Sequence, residues 1–517
     1  MNLATLAEQA LDRHGERESL VFNGQRFKNT DLHVRARRLQ RGLEELGIRR
    51  GEFVVLVMIN NPAVYEVFGA IFRTGATVVP VMFMLTELEL RFVLEDTQAK
   101  TIVTDAFNLS KVVDATKGLD FVEHIVVRGG AELQNSSVID LDTLYENTDL
   151  PAIANIDADN DVALMLYTSG TTGTPKGVML THANLIAAAE SSTAGAELAD
   201  WPNPRIGVSA MPMAHIFGVS VMTSGYLAPK ELEGYLVQLE WFDPIKIMQT
   251  IQEHRCNVMP AVPTMLSILL NHPEASAYDL SSLREVVCGA APLPVELARA
   301  FMKRHGCFVR EVYGMTENAG IASANRRSHG YRPGSAGRAS LNVELRIVDD
   351  DDQPLPAGER GEIVTRGPTV MKGYYRRPDA TAEALRGGFL HTGDIGYLDE
   401  EGFLYIVDRK KDMIIKGGEN IYPAELEAVL HGHPGIAEAA VVGILDTKYG
   451  ETVVAFVAPK HDAEVTESDV LSYLAERVSK FKLPEAVHIR NSLPKLGVGK
   501  ILRRELRLEA DKLRAKT

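Results

Sequence analysis

The chain has 517 residues, and its 55 Lys and Arg stand against 69 Asp and Glu, a formal net charge of −14. This acidic balance disfavours a nucleic-acid-binding protein, which needs a basic face, and three scattered cysteines exclude a disulfide framework or a C-x-x-C zinc site. The first 16 residues carry charges where a signal peptide would be apolar. We expect a cytoplasmic protein without a membrane span, with a homodimer left open as its assembly.

Helical and strand patterns alternate from the N-terminus to about residue 315. Such alternation predicts layered βα units around a mostly parallel sheet that is covered on both faces. The first predicted elements are helices at 31–46, 63–73 and 87–95 and strands at 53–58, 77–81, 101–104 and 124–127.

A different pattern follows residue 340. Short strands are predicted at 345–348, 361–365, 388–391 and 402–407, separated by Gly, Pro and Asp turns, which indicates a β-meander or barrel-like subdomain. Alternation resumes after Arg409-Lys410-Lys411. The expected fold class is therefore α/β, with an N-terminal domain at 1–408 and a small, mobile α+β domain at 409–517.

A glycine-rich segment, 167–177, lies between two apolar strands. Glycine lets backbone N–H groups approach a ligand closely, hydroxyls add donors, and a lysine adds a compact positive charge, a combination suited to a polyphosphate. The pattern is not Walker A, because the loop joins two strands instead of opening a helix. A surface turn is the alternative. The candidate phosphate-binding residues are Thr168, Ser169, Gly170, Thr171, Thr172, Gly173 and Lys176.

With this loop, the sequence resembles the superfamily of AMP-forming adenylating enzymes, which includes acyl-CoA synthetases, carrier-protein-loading adenylation domains and beetle luciferases. Further motifs of that superfamily follow in the expected order along essentially the whole chain. The resemblance implies two steps. A carboxylate first attacks ATP to give an acyl-adenylate and pyrophosphate, and a thiol then displaces AMP. It implies ATP, Mg²⁺ and CoA as reactants and cofactor.

The resemblance also assigns nucleotide contacts. Small residues of the segment Gly289-Ala290-Ala291 would hold adenine, and Tyr313 of Tyr313-Gly314-Met315-Thr316-Glu317 would stack on the base. Thr316 would bond the α-phosphate and Glu317 would bind Mg²⁺, for which a carboxylate is a suitable hard ligand. Asp394 would accept the ribose hydroxyls, and Arg409 would reach ribose or phosphate oxygens.

Two lysines of the C-terminal domain complete the expected machinery. Lys411 matches the hinge about which the small domain moves. Lys500 matches the adenylation lysine, which stabilises charge as the substrate carboxylate meets the α-phosphorus. The residues before it, Leu496-Gly497-Val498, depart from the hydroxyl-bearing residues common in the family.

The family branch depends on the thiol and on the acid. Lys416, Gly417, Gly418 and Glu419 resemble the loop along the pantetheine tunnel of CoA ligases. Ile216 follows His215 where amino-acid-activating enzymes place an aspartate, so a substrate ammonium would be buried unpaired. His215 would orient the acid or thiol. The expected acyl pocket consists of His215, Ile216, Phe217, Gly218, Val312, Met315 and Gly320.

These features predict an ATP-dependent carboxylic acid:CoA ligase. Val312 stands where many relatives have glycine, which predicts a narrowed pocket and a fatty or compact-ring monocarboxylic acid as substrate. A stand-alone enzyme that loads a carrier protein is the alternative, and luciferase-like oxygenation is a remoter one. A NAD-dependent enzyme and a serine hydrolase lack their glycine signatures here. Residues 480–517 hold 11 basic and 4 acidic residues, so this segment could favour the approach of anionic ATP and CoA.

Overall fold

The structure is a computed structural model that describes residues 1–129, 138–148, 150–168, 175–198, 201–417, 419–446, 449–460, 463–495 and 501–514. Six site residues expected from the sequence belong to the phosphate loop and the pantetheine loop and lie outside the described residues: Ser169, Gly170, Thr171, Thr172, Gly173 and Gly418. Lys500 lies outside them as well.

The described chain forms strands and helices along its whole length. The strands are Glu18–Phe22 (β1), Gln25–Lys28 (β2), Phe53–Val57 (β3), Thr77–Pro80 (β4), Thr101–Asp105 (β5), His124–Arg128 (β6), Val138–Asp140 (β7), Val162–Thr168 (β8), Lys176–Thr181 (β9), Gly207–Ser209 (β10), Leu236–Gln238 (β11), Val258–Ala261 (β12), Glu285–Cys288 (β13), Phe308–Tyr313 (β14), Ser323–Ala324 (β15), Arg338–Ala339 (β16), Glu344–Val348 (β17), Gly361–Arg366 (β18), Gly373–Tyr374 (β19), Leu390–Leu398 (β20), Leu404–Arg409 (β21), Ile414–Lys416 (β22), Glu419–Ile421 (β23), Ile436–Asp446 (β24), Gly450–Pro459 (β25) and Ala486–Ile489 (β26).

The helices lie between these strands as the sequence predicts. They are Leu3–His14 (α1), Asn29–Glu45 (α2), Pro62–Thr74 (α3), Glu87–Thr97 (α4), Leu109–Thr116 (α5), Leu141–Leu144 (α6), His182–Gly195 (α7), Ile216–Gly225 (α8), Pro244–His254 (α9), Pro263–Asn271 (α10), Val295–His305 (α11), Pro378–Ala384 (α12), Pro423–His431 (α13), Glu467–Ala475 (α14) and Arg503–Arg514 (α15). None of these described helices combines the length and the apolar character needed to cross a bilayer.

Local sequence explains the limits of α3, which is buried on most of its surface. The Asn61 side chain caps its first turn, Pro62 occupies a position where no N–H donor is needed, and Gly75 takes a left-handed conformation at its end. The helix packs against α2 and contributes Phe68 and Phe72, both essentially inaccessible to solvent, to a large apolar cluster.

Two large sheets carry the N-terminal part. One has nine strands in the order β16-β15-β14-β13-β12-β10-β11-β1-β2, and the other has eight in the order β19-β9-β8-β4-β3-β5-β6-β7. Strands β10 to β14 pair in parallel, as do β3 to β6. The alternation of helices and strands was predicted correctly, whereas the division into two sheets was not visible in the sequence.

The two remaining sheets belong to the meander and to the C-terminal part. Strands β17, β18, β20 and β21 form an antiparallel sheet, which confirms the predicted meander. Beyond residue 414, a sheet with the order β23-β22-β25-β24, with β26 beside β25, packs against α13, α14 and α15. Two apolar clusters that begin at Ile414 and at Ala440 hold this small α+β unit together.

Candidate active site

A cavity of about 1170 Å³ lies where strands from both large sheets end. Residues after the carboxyl ends of β10, β13 and β14 line it from the nine-stranded sheet, and residues at the ends of β4 and β8 line it from the eight-stranded sheet. Ligands in open α/β sheets bind outside the carboxyl ends of parallel strands, because loops from neighbouring strands converge there. The cavity therefore occupies the position that this architecture favours for a binding site.

The β8–β9 hairpin brings the described ends of the glycine-rich loop to the cavity. Thr168 and Lys176 are paired directly across the two antiparallel strands, and both line the cavity. The ammonium nitrogen of Lys176 lies 4.9 Å from the ring centroid of Tyr374, a cation–π distance. The Tyr167 hydroxyl donates a hydrogen bond of 2.7 Å to Asp96, which fixes the base of the hairpin.

The turn after β14 presents Thr316 and Glu317 to the same cavity. Glu317 is buried, and the Tyr374 hydroxyl donates a 3.0 Å hydrogen bond to its Oε1. Burial raises the pKa of the Glu317 carboxyl above its ordinary value, and the Tyr374 hydrogen bond acts in the opposite direction. The described residues include no group of three or more metal-ligating side chains. One carboxylate suits Mg²⁺ that is also held by substrate phosphates.

Glycines at the ends of β13 and β14 allow the backbone segments to pack closely beside the cavity. A Cβ at Gly314 would lie 2.3 Å from the backbone carbonyl group of Gly320, and a Cβ at Gly289 would lie 2.8 Å from a methyl group of Val312. Gly289, Ala290 and Gly314 line the cavity, whereas Ala291 does not. The segment is therefore as compact as the expected adenine site requires.

Tyr313 and Asp394 lie behind the cavity wall. Tyr313 donates a 2.7 Å hydrogen bond to Asp394 Oδ2, and Arg409 Nε lies 3.1 Å from Asp394 Oδ1. Both Tyr313 and Asp394 are buried, and Tyr313 packs in the apolar cluster beneath the meander. Tyr313, expected to stack on the base, and Asp394, expected to bind the ribose, are thus hydrogen-bonded to each other in this structure. Arg409 faces the cavity.

The C-terminal part reaches the cavity through one of its two expected loops. Lys495, five residues before Lys500, lines the cavity and pairs with Glu438, and the expected hinge residue Lys411 also lines it. Lys416 and Glu419 pair across the β22–β23 hairpin and lie away from the cavity wall, as does Gly417. In this arrangement Lys495 faces the cavity, and the described residues of the expected CoA loop do not.

Helix α8 forms one wall of the cavity, where the acyl pocket is expected. His215 caps this helix, because its Nδ1 accepts a 3.1 Å hydrogen bond from the backbone N–H of Phe217. The expected pocket residues that line the cavity are His215, Ile216, Phe217, Val312, Met315 and Gly320. Gly218 does not line the cavity, contrary to the prediction. It is buried, and a Cβ there would lie 2.2 Å from the Pro212 carbonyl oxygen.

The structure adds residues that the sequence analysis missed. Tyr374 lies beside Lys176 and Glu317, although its short strand had not been predicted. Arg205 and Arg310 also line the cavity and belong to none of the recognised motifs, although Arg310 is only three residues before Tyr313. Arg310 could have been found from the sequence. It precedes Val312 by two residues in the same strand, so both side chains lie on the face that lines the cavity.

Comparisons with known proteins agree with this geometry. The family described as AMP-binding enzyme matches residues 6–375, and the AMP-binding enzyme C-terminal domain matches residues 425–500. A long-chain-fatty-acid–CoA ligase of Bacillus subtilis (strain 168) is 35% identical over 98% of this chain and 94% of its own. A feruloyl-CoA synthase of Amycolatopsis sp. is 37% identical over 92% of each chain. The crystal structure of ATP-bound MatB from Rhodopseudomonas palustris is 30% identical, covers 99% of this chain and 100% of its own, and superposes with a TM-score of 0.88.

Proposed function

This chain belongs to the AMP-binding enzyme family and is an ATP-dependent, AMP-forming acyl-CoA ligase, and on that premise we propose which residues carry its two steps and which acids it accepts. One observation carries the proposal. A single cavity is lined by the phosphate hairpin, by the turn at Thr316 and Glu317, by Arg409 and Lys495, and by the apolar face of α8. The residues proposed for the nucleotide, the acid and the lid therefore line one cavity.

In the adenylation step, the nucleotide end binds ATP. Lys176 and Thr168 hold the terminal phosphates, Thr316 bonds the α-phosphate, and the segment Gly289-Ala290 lies against adenine. Lys500 is the proposed bridge between the acid and the α-phosphate, so that charge is stabilised as the carboxylate oxygen attacks phosphorus and pyrophosphate leaves. Holding both reactants in line supplies much of the rate enhancement.

Glu317 is the residue that would hold Mg²⁺, together with phosphate oxygens of ATP. The bound ion would neutralise charge on the phosphates. The Tyr374 hydroxyl orients the Glu317 carboxylate through its 3.0 Å hydrogen bond. Burial raises the Glu317 pKa, so that this carboxyl is more readily protonated than an exposed glutamate and its ionised form needs a cation nearby.

In the second step, rotation about Lys411 exchanges the Lys495–Lys500 loop for the β22–β23 hairpin. Lys416, Gly417, Gly418 and Glu419 then line the path of the pantetheine arm. The thiol attacks the acyl carbon, the bond to AMP breaks, and the thioester and AMP are released. His215, which faces the cavity from the start of α8, orients the thiol or the acid.

The acid is one with an extended aliphatic chain. Phe217, Val221 and Ser224 recur at helical spacing along the face of α8 that lines the cavity, and the cavity continues beyond them to Tyr226 and Leu236. A wall that extends over two turns of helix suits a chain more than a compact ring. Val312 lies next to Gly289 at the entrance and limits branching near the carboxylate.

The test follows AMP release and thioester formation by the purified protein with ATP, Mg²⁺, CoA and a panel of acids. Linear acids from hexanoic to palmitic are expected to give the higher kcat/KM, and ferulic and malonic acids the lower. Preference for ferulic or malonic acid would contradict the proposed acid class, and thioester formation only with a carrier protein would contradict CoA as the acceptor.

A variant of the channel wall gives a matched control. Val221→Trp fills the channel behind Phe217, so we expect palmitic acid to lose at least about tenfold in kcat/KM while hexanoic acid keeps its rate. Equal loss for both acids would show that the chain does not lie along α8.

A further inference from the structure

The floor of the acyl channel is one face of the parallel strands β10 to β14. Side chains on one face of a strand recur every second residue, which corresponds to about 7 Å along a parallel strand. Val312 and Arg310 are successive residues of β14 on this face, and Val287 is the register partner of Arg310 on β13. Val258 and Gly207, which are paired with each other, form the next level.

Arg205 stands one level further from the reaction centre. It precedes Gly207 by two residues and also lines the cavity. From the level of Val312 to that of Gly207 the floor spans two such steps along the strands, or about 13 Å, and Arg205 lies two residues beyond, before β10 begins. The channel thus leads from the acyl entrance past Arg310, Val287 and Val258 to a second guanidinium group, that of Arg205.

Arg310 and Arg327 both pair with Glu285, and Arg327 Nε also lies 3.9 Å from Glu197, whereas Arg205 forms no ion pair with the described residues. Glu285 is almost fully buried, and its two oxygens lie 3.0 Å from Arg310 Nε and 3.3 Å from Arg327 Nη1. The guanidinium carbon of Arg205 lies 5.3 Å from the ring centroid of Trp201. Its Nε is buried and has no hydrogen-bond partner within the described ranges of the chain.

The charge at Arg205 is held in an unfavourable environment. Burial lowers the pKa of Arg205 to about 10, the positive charges of Arg310 and Arg327 act in the same direction, and only Glu285 opposes them. An aliphatic chain end placed there would remove the remaining water and offer no acceptor. A carboxylate would accept hydrogen bonds from the guanidinium fork and balance its charge.

We infer that Arg205 binds a second carboxylate at the far end of the acid, so that the preferred substrates are long-chain α,ω-dicarboxylic acids, which are activated at one end only. This inference rests on the proposed ligase function. The sequence analysis predicted a monocarboxylic acid from Val312, and this inference replaces that prediction with an acid that carries a second carboxylate. Arg205 contacts the substrate far from the reacting atoms and is a specificity residue. Short diacids would not reach it.

The test compares matched acids with the full-length enzyme. Wild-type kcat/KM is expected to be at least about tenfold higher for hexadecanedioic acid than for palmitic acid, with no such preference for adipic over hexanoic acid. Equal use of hexadecanedioic and palmitic acids would overturn the inference, as would equal use of ω-hydroxypalmitic and hexadecanedioic acids. AMP release with none of these acids would instead contradict the proposed class of linear aliphatic acids.

Variants locate the effect. Arg205→Met is expected to lower kcat/KM for hexadecanedioic acid about a hundredfold, mainly through KM, because charged hydrogen bonds are lost, and to leave palmitic acid unchanged or improved. Arg205→Lys should restore part of the preference. Arg284→Met, at an exposed arginine before β13, is the matched control and should change nothing. Equal loss for both acids in a folded Arg205→Met enzyme, or unchanged preference, would overturn the assignment.

Discussion

The two ends of the cavity are built in different ways. At the nucleotide end, short turns after strands place side chains such as Thr316, Glu317 and Lys176 side by side, and each of these turns is a motif readable in the sequence. At the proposed acyl end, Arg205 lies two residues before β10 and Arg310 lies in the middle of β14, and neither belongs to a recognised motif. The comparison shows that the residues expected to bind ATP lie in turns with recognisable local motifs. The residues proposed to select the acid lie on one face of a sheet, where no local motif identifies them.

The largest effect is expected for Lys500→Ala, at the nucleotide end. We expect acyl-adenylate formation to fall about a thousandfold for every acid, because a charge that stabilises the transition state is removed. Pyrophosphate release in a single turnover measures this step. Lys480→Ala, at an exposed lysine of the same domain, should keep its rate. Near-normal adenylation by Lys500→Ala would remove this lysine from the proposed mechanism.

The next effect is expected for Glu317→Gln. Loss of the carboxylate should lower kcat about tenfold to a hundredfold for all acids and raise the Mg²⁺ concentration required. In the wild type, burial raises the Glu317 pKa, so activity should fall as pH decreases through that pKa, and excess Mg²⁺ should move this fall to lower pH. A Mg²⁺ titration at several pH values measures both. An unchanged Mg²⁺ requirement would contradict the assignment.

A smaller and acid-dependent effect is expected for Val312→Gly. Removing the side chain that contacts Gly289 should raise kcat/KM for acids branched near the carboxylate about tenfold relative to linear acids, with ATP affinity unchanged. Competition between isovaleric and hexanoic acids measures the ratio. A uniform loss for both acids would mean that Val312 supports the nucleotide end and does not select the acid.

The smallest expected effect is a pH dependence of the thermal stability that comes from Glu311 on β14. Burial raises the pKa of Glu311 on β14 to about 8, so the folded chain keeps a proton that the unfolded chain has released above its ordinary pKa near 4.5. Stability should therefore fall as pH rises from about 4.5 to about 8. Glu311→Gln should remove this dependence and raise Tm by a few degrees at about pH 8.5.

The same variant at about pH 4 supplies the control, since Glu311 is protonated there in both states and the two proteins should melt together. Thermal unfolding followed by circular dichroism gives both values. A Tm difference of the same size at both pH values would assign the effect to packing and not to ionisation.

Much of the fold and of the nucleotide end was predictable because the signals are local. The helix at 29–45, the strand pair around the glycine-rich loop and the meander after residue 340 each follow from periodicity and turn residues within a short window. Other features depend on distant contacts. The hydrogen bond between Tyr313 and Asp394 joins residues 81 positions apart, and the position of Gly218 against Pro212 depends on how α8 packs.

By itself the sequence determined the chemistry and the order of elements, because phosphate-binding turns, carboxylates and strand periodicity are encoded in neighbouring residues. Only the tertiary structure decided how the strands sort into two sheets and which side chains meet at the far end of the channel. The physical reason is that register between strands places Val312, Val258 and Gly207 on one face of the sheet, and register is fixed by packing across the whole sheet.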